Sequence, residues 1–361
     1  MAAKSQLQKK TSLNKRYQLF SQQIVQWYLD HGRHDLPWRK KVTPYRIWIS
    51  EIMLQQTQVK TVVPYFKNFI KKFPSQKRLA GASEDQVLAA WSGLGFYRRA
   101  RNIFATKEII KNNYGNRFPN QFQQIIELPG IGKSTAGAIM SLAYLDPHPI
   151  LDGNVKRVIS RFLKKELDLL KEAELWKLSK EMVSRDDCFS YTQGIMDLGA
   201  TICTPSNPSC DECPVNSQCL SAFKVRSIKK NKTVSSKKVI VMNLSLIQTE
   251  KSLLLVKNET DSIWRNLWLP FDSGSIKNHI KNFKLTTKEK IKHELTHRRL
   301  EINLKTYSSL KEQEIETNQT YKWIKKDRIE EYGLPKPISK VIKELRVQRF
   351  SVKNFKKIYP P

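Results

Sequence analysis

The sequence predicts a mostly helical chain that ends in a smaller α+β domain. From Tyr17 to Phe223, apolar residues recur at the spacing of amphipathic helices, as in Phe20, Ile24 and Trp27. Beyond Lys238, several windows alternate between apolar and polar residues or are rich in β-formers, which predicts strands. The two parts are separated by 222–238, which holds seven basic and no acidic residues. This composition is typical of an exposed linker.

The positions of helix-breaking residues and of β-rich windows predict the elements of each part. Proline and glycine divide the first part into short helices, with stops or starts at Pro37, Pro44, Pro64, Pro74, Gly81, Gly93, Gly95, Pro119 and Pro129. In the second part we expect strands at 238–247, 252–257 and 300–307 and helices at 275–283 and 336–350. The predicted organisation is a basic tail (1–16), a helical domain (17–221), a basic linker (222–237), an α+β domain (238–350) and a basic tail (351–361).

Charge is the strongest compositional signal in these 361 residues. The chain has 64 basic and 33 acidic residues, a net charge of +31, which favours a polyanionic partner such as nucleic acid. The longest nearly apolar stretch, 136–145, is shorter than the roughly 20 residues that a membrane-spanning helix needs. No apolar run follows the basic residues of the first twenty positions, so we expect no secretory signal and a cytoplasmic protein.

Four of the five cysteines are clustered. Cys203, Cys210, Cys213 and Cys219 form a C-x6-C-x2-C-x5-C pattern, which in a reducing compartment indicates a metal site. Four thiolates suit zinc or an iron–sulfur cluster, and the single C-x2-C knuckle favours the cluster. Cys188 lies outside the pattern and is expected to be a buried thiol.

A glycine-rich turn lies at 128–136. Its Gly132-Lys133-Ser134 ending resembles a phosphate loop, but Glu127 stands where that motif requires glycine, so a nucleoside triphosphatase is disfavoured. A tight turn between two helices, containing Gly130 and Gly132, would instead direct backbone N–H groups at one DNA phosphate, or be a plain helical hairpin.

Two carboxyl groups lie in positions suited to catalysis. Glu51 belongs to a predicted helix and is framed by Ile47, Trp48 and Leu54, which would desolvate it and favour a protonated general acid. Asp152 precedes a predicted helix, where an aspartate is usually an N-cap. Two converging carboxyl groups are the arrangement that cleaves glycosidic bonds, although sequence spacing does not show convergence.

Together these segments resemble the helix-hairpin-helix DNA glycosylases that carry a [4Fe-4S] cluster, and among them the adenine DNA glycosylases of the MutY family. The resemblance rests on residues 36–39 (LPWR), 48–59 (WISEIMLQQTQV), 93–102 (GLGFYRRARN), 128–138 (LPGIGKSTAGA), 150–158 (ILDGNVKRV), 196–204 (MDLGATICT) and the four cysteines. More weakly, the C-terminal part is similar to that family's Nudix-like domain.

The resemblance implies excision of adenine mispaired with 8-oxoguanine or guanine in duplex DNA, after the adenine is flipped out of the stack. Glu51 matches the general acid, Asp152 the carboxylate that stabilises or transiently bonds the sugar cation, and Asn154 a supporting polar residue. The positions around the adenine are matched by Trp38, Arg39 and Gln193, and those that enter the duplex by Gln56, Leu94 and Phe96.

Three sequence features refine this expectation. Ser134 stands where the endonuclease III lyases carry their Schiff-base lysine, so we expect a monofunctional enzyme in which Lys133 contacts phosphate. The family's Phe-Ser-His loop, which senses 8-oxoguanine, has become Leu295-Thr296-His297. The Nudix hydrolase box is absent, so the C-terminal domain is expected to bind and not hydrolyse nucleotides.

Two other functions remain open from the sequence. One is an endonuclease III-like glycosylase and lyase, against which Ser134 and the C-terminal domain argue; the other is a non-enzymatic DNA-binding iron–sulfur protein, against which the retention of Glu51 and Asp152 argues. We expect a monomer with one [4Fe-4S] cluster and no membrane association.

Overall fold

The structure is a computed structural model that describes residues 2–164, 171–224 and 237–347, apart from the side chains of 2–11, 282, 346 and 347. The chain forms two compact units. The first unit comprises Met1–Gly81 and Ala105–Lys232, and the second comprises Ala82–Phe104 and Thr233–Pro361. Within the described residues, no helix has the length and apolar character needed to cross a membrane.

The first unit is helical. Its α-helices are α1 (Ala2–His31), α2 (Pro44–Leu54), α3 (Val59–Lys72), α4 (Gln76–Ala80), most of α6 (Arg98–Asn113), α7 (Phe122–Ile126), α8 (Lys133–Ile139), α9 (Gly153–Phe162), α10 (Glu172–Met182) and α11 (Cys188–Asp197). Two of these continue into single π-helical turns, α8 into Met140–Tyr144 and α11 into Leu198–Ile202. A 3-10 turn lies at Asn216–Gln218.

Aromatic residues from several helices build the core of the first unit. Phe20, Trp48, Phe66, Phe69 and Phe162 are at most 1 % exposed. The rings of Phe20 and Phe162 lie 4.4 Å apart and join α1 to α9. Because burying a phenylalanine contributes roughly 1.5–3 kcal/mol, this cluster is a main source of stability for the helices that carry the site.

The N-terminal segment differs from the expected tail at 1–16. It is helical from Ala2 onward and continues without a break into α1. Its alanine, leucine, glutamine and lysine residues are good helix formers, which explains the extension. Arg16 anchors this helix, since its guanidinium donates to the carbonyl oxygens of Phe162 at 3.2 Å and Gln218 at 2.6 Å.

The second unit contains a mixed sheet. Its strands are β1 (Lys238–Gln248), β2 (Ser252–Lys257), β3 (Trp268–Leu269), β4 (Phe271–Asp272), β5 (Lys284–Glu294), β6 (Arg298–Ser308) and β7 (Tyr321–Lys325). The order is β3-β2-β1-β6-β5, with β4 paired to β1 and β7 to β2. The pair β1–β6 is parallel and the other pairs are antiparallel. The helix α12 (Lys336–Val347) buries Ile338 and Ile342.

The segment 82–104 belongs to the second unit, although the sequence predicted one contiguous helical domain at 17–221. It contains α5 (Glu84–Trp91), which begins with a capping box between Ser83 and Gln86. At the first turn of α5, Glu84 accepts from Asn266 at 2.7 Å and Asp85 accepts from the Trp268 indole N–H at 3.0 Å. These long-range side-chain bonds cannot be read from local periodicity, which explains the difference.

Other expectations for the second part have mixed outcomes. The strands at 238–247, 252–257 and 300–307 are present, each within a residue or two of its predicted ends. The helix expected at 275–283 is wrong, because only His279–Asn282 forms a short 3-10 turn. The helix expected at 336–350 is present as far as Val347. Most of the predicted linker and all of the predicted C-terminal tail lie outside the described residues.

Candidate active site and cluster loop

Glu51 lies on α2, whose sequence explains both where the helix begins and which side is buried. Thr43 caps it by accepting from the Arg46 N–H at 3.2 Å, and Pro44 occupies its first position. Ile47 and Trp48 flank the glutamate and are at most 1 % exposed, as the sequence predicted. The pKa of Glu51 is raised to about 7, mainly by burial and secondly by the charge of Asp152, while the charge of Arg39 opposes the rise. This carboxyl group can therefore carry a proton near neutral pH.

Asp152 is the N-cap of α9, and this role leaves one carboxylate oxygen for other work. Its Oδ1 accepts from the Val155 N–H at 2.8 Å, while Oδ2 lies 3.5 Å from the Asn154 amide nitrogen. The capping interpretation is thus correct and does not exclude a catalytic one. The charge of Asp152 also contributes to raising the pKa of Glu51.

Arg39, whose charge lowers the pKa of Glu51, belongs to an ion-pair network that sequence reasoning missed. Its guanidinium donates to both oxygens of Asp197, at 2.6 and 2.8 Å, and Arg33 donates to the same carboxylate at 2.5 and 2.9 Å. Burial alone would raise the pKa of Asp197, but the two guanidinium groups outweigh this and lower it. The pairing fixes Arg39 in a charged, planar arrangement. The only sequence signal was an aspartate inside the segment 196–204.

The hairpin between α7 and α8 sits against this site. Gly130 has φ of +80°, a conformation that favours glycine, and its carbonyl accepts from the Gln55 amide at 3.3 Å. The Ser134 hydroxyl accepts from the Leu151 N–H at 3.0 Å, which ties α8 to the residue before Asp152. Lys133 is exposed, and its ammonium group lies 4.3 Å from the centre of the Trp176 ring.

Trp38 and Gln193, two of the positions expected around the adenine, are buried. Trp38 is 4 % exposed and packs edge-on against Phe66, with ring centroids 5.4 Å apart. Gln193, on α11, is 1 % exposed, and its amide nitrogen has no hydrogen-bond partner among the described residues. A buried donor without a partner is costly, so this amide is available for a ligand.

The four clustered cysteines converge. Cys203, Cys210, Cys213 and Cys219 line one small cavity in the loop after α11. Two N–H groups lie within hydrogen-bonding distance of the sulfurs, from Arg161 to Cys203 at 3.4 Å and from the Phe223 backbone to Cys210 at 3.4 Å. Convergent sulfurs with such donors fit a thiolate-ligated iron–sulfur cluster. Cys188 lies elsewhere, is buried and donates to the Ser141 carbonyl at 3.5 Å.

Arg157, on α9, joins the cysteine loop to the carboxylate site. Its guanidinium donates to the carbonyl of Cys203 at 2.7 Å, to the carbonyl of Gly199 at 2.6 Å and to the side-chain oxygen of Asn154 at 2.8 Å. Gly199 itself approaches so closely that a Cβ there would lie 2.6 Å from the Asn154 Cβ. Sequence reasoning gave Arg157 no role, because two of its partners are backbone carbonyls that no residue pattern shows.

The residues expected to enter DNA differ in exposure. In the first unit, Gln56 is exposed with φ of +55°. In the second unit, Phe96 is 46 % exposed with φ of +49°, whereas Leu94 is only 7 % exposed. A non-glycine residue held in this region costs on the order of 1–3 kcal/mol, and such strain concentrates at functional sites. Thr296 and His297 are exposed in the turn between β5 and β6.

Comparison with known proteins agrees with this geometry. A family model described as an HhH-GPD superfamily base excision DNA repair protein matches residues 49–181, the iron–sulfur binding domain of endonuclease III matches 203–219, and a NUDIX domain matches 243–344. A solved thymine-DNA glycosylase is 29 % identical, with a TM-score of 0.55, over 59 % of this chain and all of its own. An endonuclease III bound to DNA shares the fold, at 20 % identity and a TM-score of 0.50 over 58 % of this chain and 95 % of its own.

Curated relatives are similar over more of the chain. An adenine DNA glycosylase of Buchnera aphidicola from Schizaphis graminum is 38 % identical over 90 % of this chain and 98 % of its own. A second, from the Baizongia pistaciae strain, is 38 % identical over 91 % and 97 %. The human adenine DNA glycosylase is 37 % identical over 55 % of this chain and 39 % of its own.

The helical fold, the cysteine loop and these family matches define a base-excision-repair DNA glycosylase of the helix-hairpin-helix class that carries a [4Fe-4S] cluster and acts on DNA. Within that class, the chain belongs to the adenine DNA glycosylase family, which makes it an adenine-specific glycosylase with a C-terminal Nudix-like domain. The non-enzymatic alternative is thereby excluded.

Proposed function

We propose that the enzyme hydrolyses the N-glycosidic bond of adenine paired with 8-oxoguanine or guanine, with Glu51 as the general acid and Asp152 as the stabilising carboxylate. The observation that carries this is the position of Glu51 on α2 between the buried Ile47 and Trp48, which together with the charge of Asp152 raises its pKa to about 7. A flipped adenine that receives the proton of Glu51 at N7 leaves as a neutral base. Asp152 then faces a positive sugar, whose charge it offsets before water attacks.

Other side chains would orient the base and the acid. The unpartnered amide of Gln193 has the donor that an adenine edge can accept. Arg39, held by Asp197, favours the ionised form of Glu51 and would help it release its proton. Trp38, packed against Phe66, would hold the surroundings of the flipped adenine rigid. Asn154 would orient the free oxygen of Asp152.

We further propose that the enzyme is monofunctional. Ser134 cannot form a Schiff base, and its hydroxyl already accepts from the Leu151 N–H. Lys133 is held over Trp176, where it would contact a phosphate together with the backbone of the Gly130–Gly132 turn. Efficient borohydride trapping of a protein–DNA adduct, lost in Lys133→Ala, would contradict this.

The four cysteines, Cys203, Cys210, Cys213 and Cys219, would ligate the cluster. When bound, the cluster supplies a cross-link through iron–thiolate bonds that fixes the loop. The Thr296-His297 turn would contact the base opposite adenine, and Gln56, Leu94 and Phe96 would enter the duplex beside it; Leu94 would first have to leave its buried position. The enzyme would act as a cytoplasmic monomer bound to chromosomal DNA.

The decisive experiment is single-turnover adenine release from a duplex with adenine opposite 8-oxoguanine. Wild-type protein with intact cluster absorbance is expected to release adenine, and Glu51→Gln is expected to lower the rate by at least about a hundredfold, the usual share of general acid catalysis. Retained activity in Glu51→Gln would refute the assignment of the acid. Repeating the assay with guanine opposite adenine measures the preference for the opposing base.

A further inference from the structure

The loop that carries Phe96 is tied to one backbone atom of the Nudix-like part of the second unit. This loop, residues 92–97, joins α5 to α6. The carbonyl oxygen of Leu334 accepts from the Ser92 hydroxyl at 2.8 Å and from the Tyr97 hydroxyl at 3.1 Å. Since Ser92 and Tyr97 are the first and last residues of the loop, a single acceptor holds both of its ends.

The same tyrosine closes the loop on itself. The Tyr97 hydroxyl accepts from the Gly93 N–H at 3.2 Å while it donates to Leu334. The carbonyl of Gly95 accepts from the Trp91 indole at 3.0 Å and from Arg99 at 3.3 Å. A hydroxyl that both accepts and donates couples the two bonds, so loss of either weakens the other.

Phe96 is the residue that this network presents. Its φ of +49° is unfavourable for a phenylalanine, yet 46 % of the side chain is exposed. Arg99 is 7 % exposed, and its guanidinium lies 5.3 Å from the centre of the Phe96 ring and 5.2 Å from that of the Trp91 ring. A strained residue keeps its conformation only where its surroundings determine it, and the bonded loop provides those surroundings.

The acceptor is fixed as firmly as the loop. Leu334 is 4 % exposed, and the neighbouring Gly333 carbonyl accepts from the Trp268 N–H at 2.9 Å. Gly333 packs against α5 so closely that a Cβ there would lie 2.6 Å from the Leu88 Cβ. The indole of the same Trp268 donates to Asp85 of α5. The segment 332–335 therefore cannot shift without disturbing β3 or α5.

We propose that the Leu334 carbonyl is a positioning element: through Ser92 and Tyr97 it holds the 92–97 loop in the conformation that presents the Phe96 ring to the DNA duplex. The inference deepens the proposed function, because it rests on Phe96 entering DNA. In this proposal Ser92 and Tyr97 contribute to DNA binding indirectly, by holding the loop that presents Phe96, and not by contacting DNA. It also gives the Nudix-like part a second task besides sensing the opposing base.

Equilibrium binding to a duplex with a tetrahydrofuran abasic analogue opposite 8-oxoguanine tests the proposal. Ser92→Ala/Tyr97→Phe removes both bonds and is expected to raise Kd about tenfold. Phe96→Ala is expected to raise Kd by roughly fivefold to a hundredfold, the range of aromatic–base stacking. Tyr144→Phe is the matched control, because its hydroxyl donates to the carbonyl of Pro119 at 2.9 Å in the first unit, and it should bind as wild type does.

The triple variant decides whether the tether acts through Phe96. If it does, Phe96→Ala with and without Ser92→Ala/Tyr97→Phe should bind within about twofold of each other. If the fold-changes in Kd of Phe96→Ala and of Ser92→Ala/Tyr97→Phe multiply in the triple variant, the two act independently and the proposal is overturned. Wild-type affinity of the Ser92→Ala/Tyr97→Phe protein would overturn it as well. Wild-type affinity of Phe96→Ala would overturn it too, whereas failure of the wild-type enzyme to release adenine would count against the proposed catalysis alone.

Hydrogen exchange provides a readout without DNA. The amides of residues 93–96 should exchange faster in Ser92→Ala/Tyr97→Phe than in wild type, with the amides of α12 unchanged. Gly333→Ala, which pushes the acceptor away from α5 without touching the loop, should reproduce both the faster exchange and the weaker binding. Unchanged exchange in the loop of the double variant would show that these bonds do not hold it.

Discussion

Replacing Glu51 by glutamine should stabilise the protein, and the gain should grow as the pH rises. The pKa of Glu51 is raised from 4.5 to about 7 because burial and the nearby Asp152 disfavour its charge. A group with a raised folded-state pKa contributes full stability below its unfolded pKa and loses it as the pH rises through the folded value. Glutamine cannot ionise, so the stability of the variant does not fall with pH for this reason.

The size of the effect follows from the two pKa values. A rise from 4.5 to about 7 corresponds, at roughly 1.4 kcal/mol for each pH unit, to about 3 kcal/mol at pH 8.5. At pH 5 the folded state is still protonated and the unfolded state only partly ionised, which leaves a loss of about 1 kcal/mol. The free energy of unfolding of Glu51→Gln relative to wild type should therefore increase by about 2–3 kcal/mol between these pH values.

Urea unfolding followed by tryptophan fluorescence from pH 5 to 8.5 measures this difference. Comparing variant and wild type at each pH cancels every other titrating group that the two proteins share. Glu181→Gln, at an exposed position on α10, is the matched control and should show no such trend. A stability difference that stays constant across the range would refute the conclusion that Glu51 is protonated near neutral pH in the folded enzyme.

Three further predictions concern the groups around Glu51. Single-turnover adenine release should fall about tenfold per pH unit well above pH 7, where Glu51 loses its proton, and a flat profile from pH 6 to 9 would oppose its role as acid. Asp197→Asn should destabilise the protein by about 3–5 kcal/mol in urea unfolding, because it leaves the partly buried Arg33 and Arg39 without their carboxylate. Arg157→Lys should slow adenine release at least about tenfold with cluster absorbance retained, since a lysine cannot bond Cys203, Gly199 and Asn154 together; an unchanged rate would refute that link.

The local features of this chain were predictable from its sequence. The raised pKa of Glu51 followed from the apolar neighbours on its helix, and the cap at Asp152 followed from its position before a helix. The convergence of the four cysteines also followed, because their spacing confines them to one short loop. Each of these inferences depends on residues within about seventeen positions, where helix periodicity and loop length restrict the geometry.

The long-range features were not predictable. The ion pairs of Asp197 join residues 158 and 164 positions apart, and the bonds to the Leu334 carbonyl span 237 and 242 positions. Backbone acceptors leave no trace in composition. The strand β5 was missed for another reason: its alternate residues Lys288, Lys290 and Lys292 are exposed on an edge strand, where lysine protects against pairing with other chains and hides the usual β-forming composition.

The capping bond of Asp152 makes a helix start a suitable place for the stabilising carboxylate that we propose. One oxygen is fixed by the Val155 N–H, so the other points in a constant direction without the entropy cost of ordering a free side chain. Arg157 donates both to the side-chain oxygen of Asn154 and to the Cys203 carbonyl, which links the residue beside that second oxygen to the cysteine loop. In the proposed mechanism, the cap and the asparagine would hold this carboxylate ready for the sugar cation, and Glu51 would supply the proton. The interpretation of Asp152 as a cap therefore supports the proposal that it is also a catalytic residue, because the capping bond would preorganise the second oxygen.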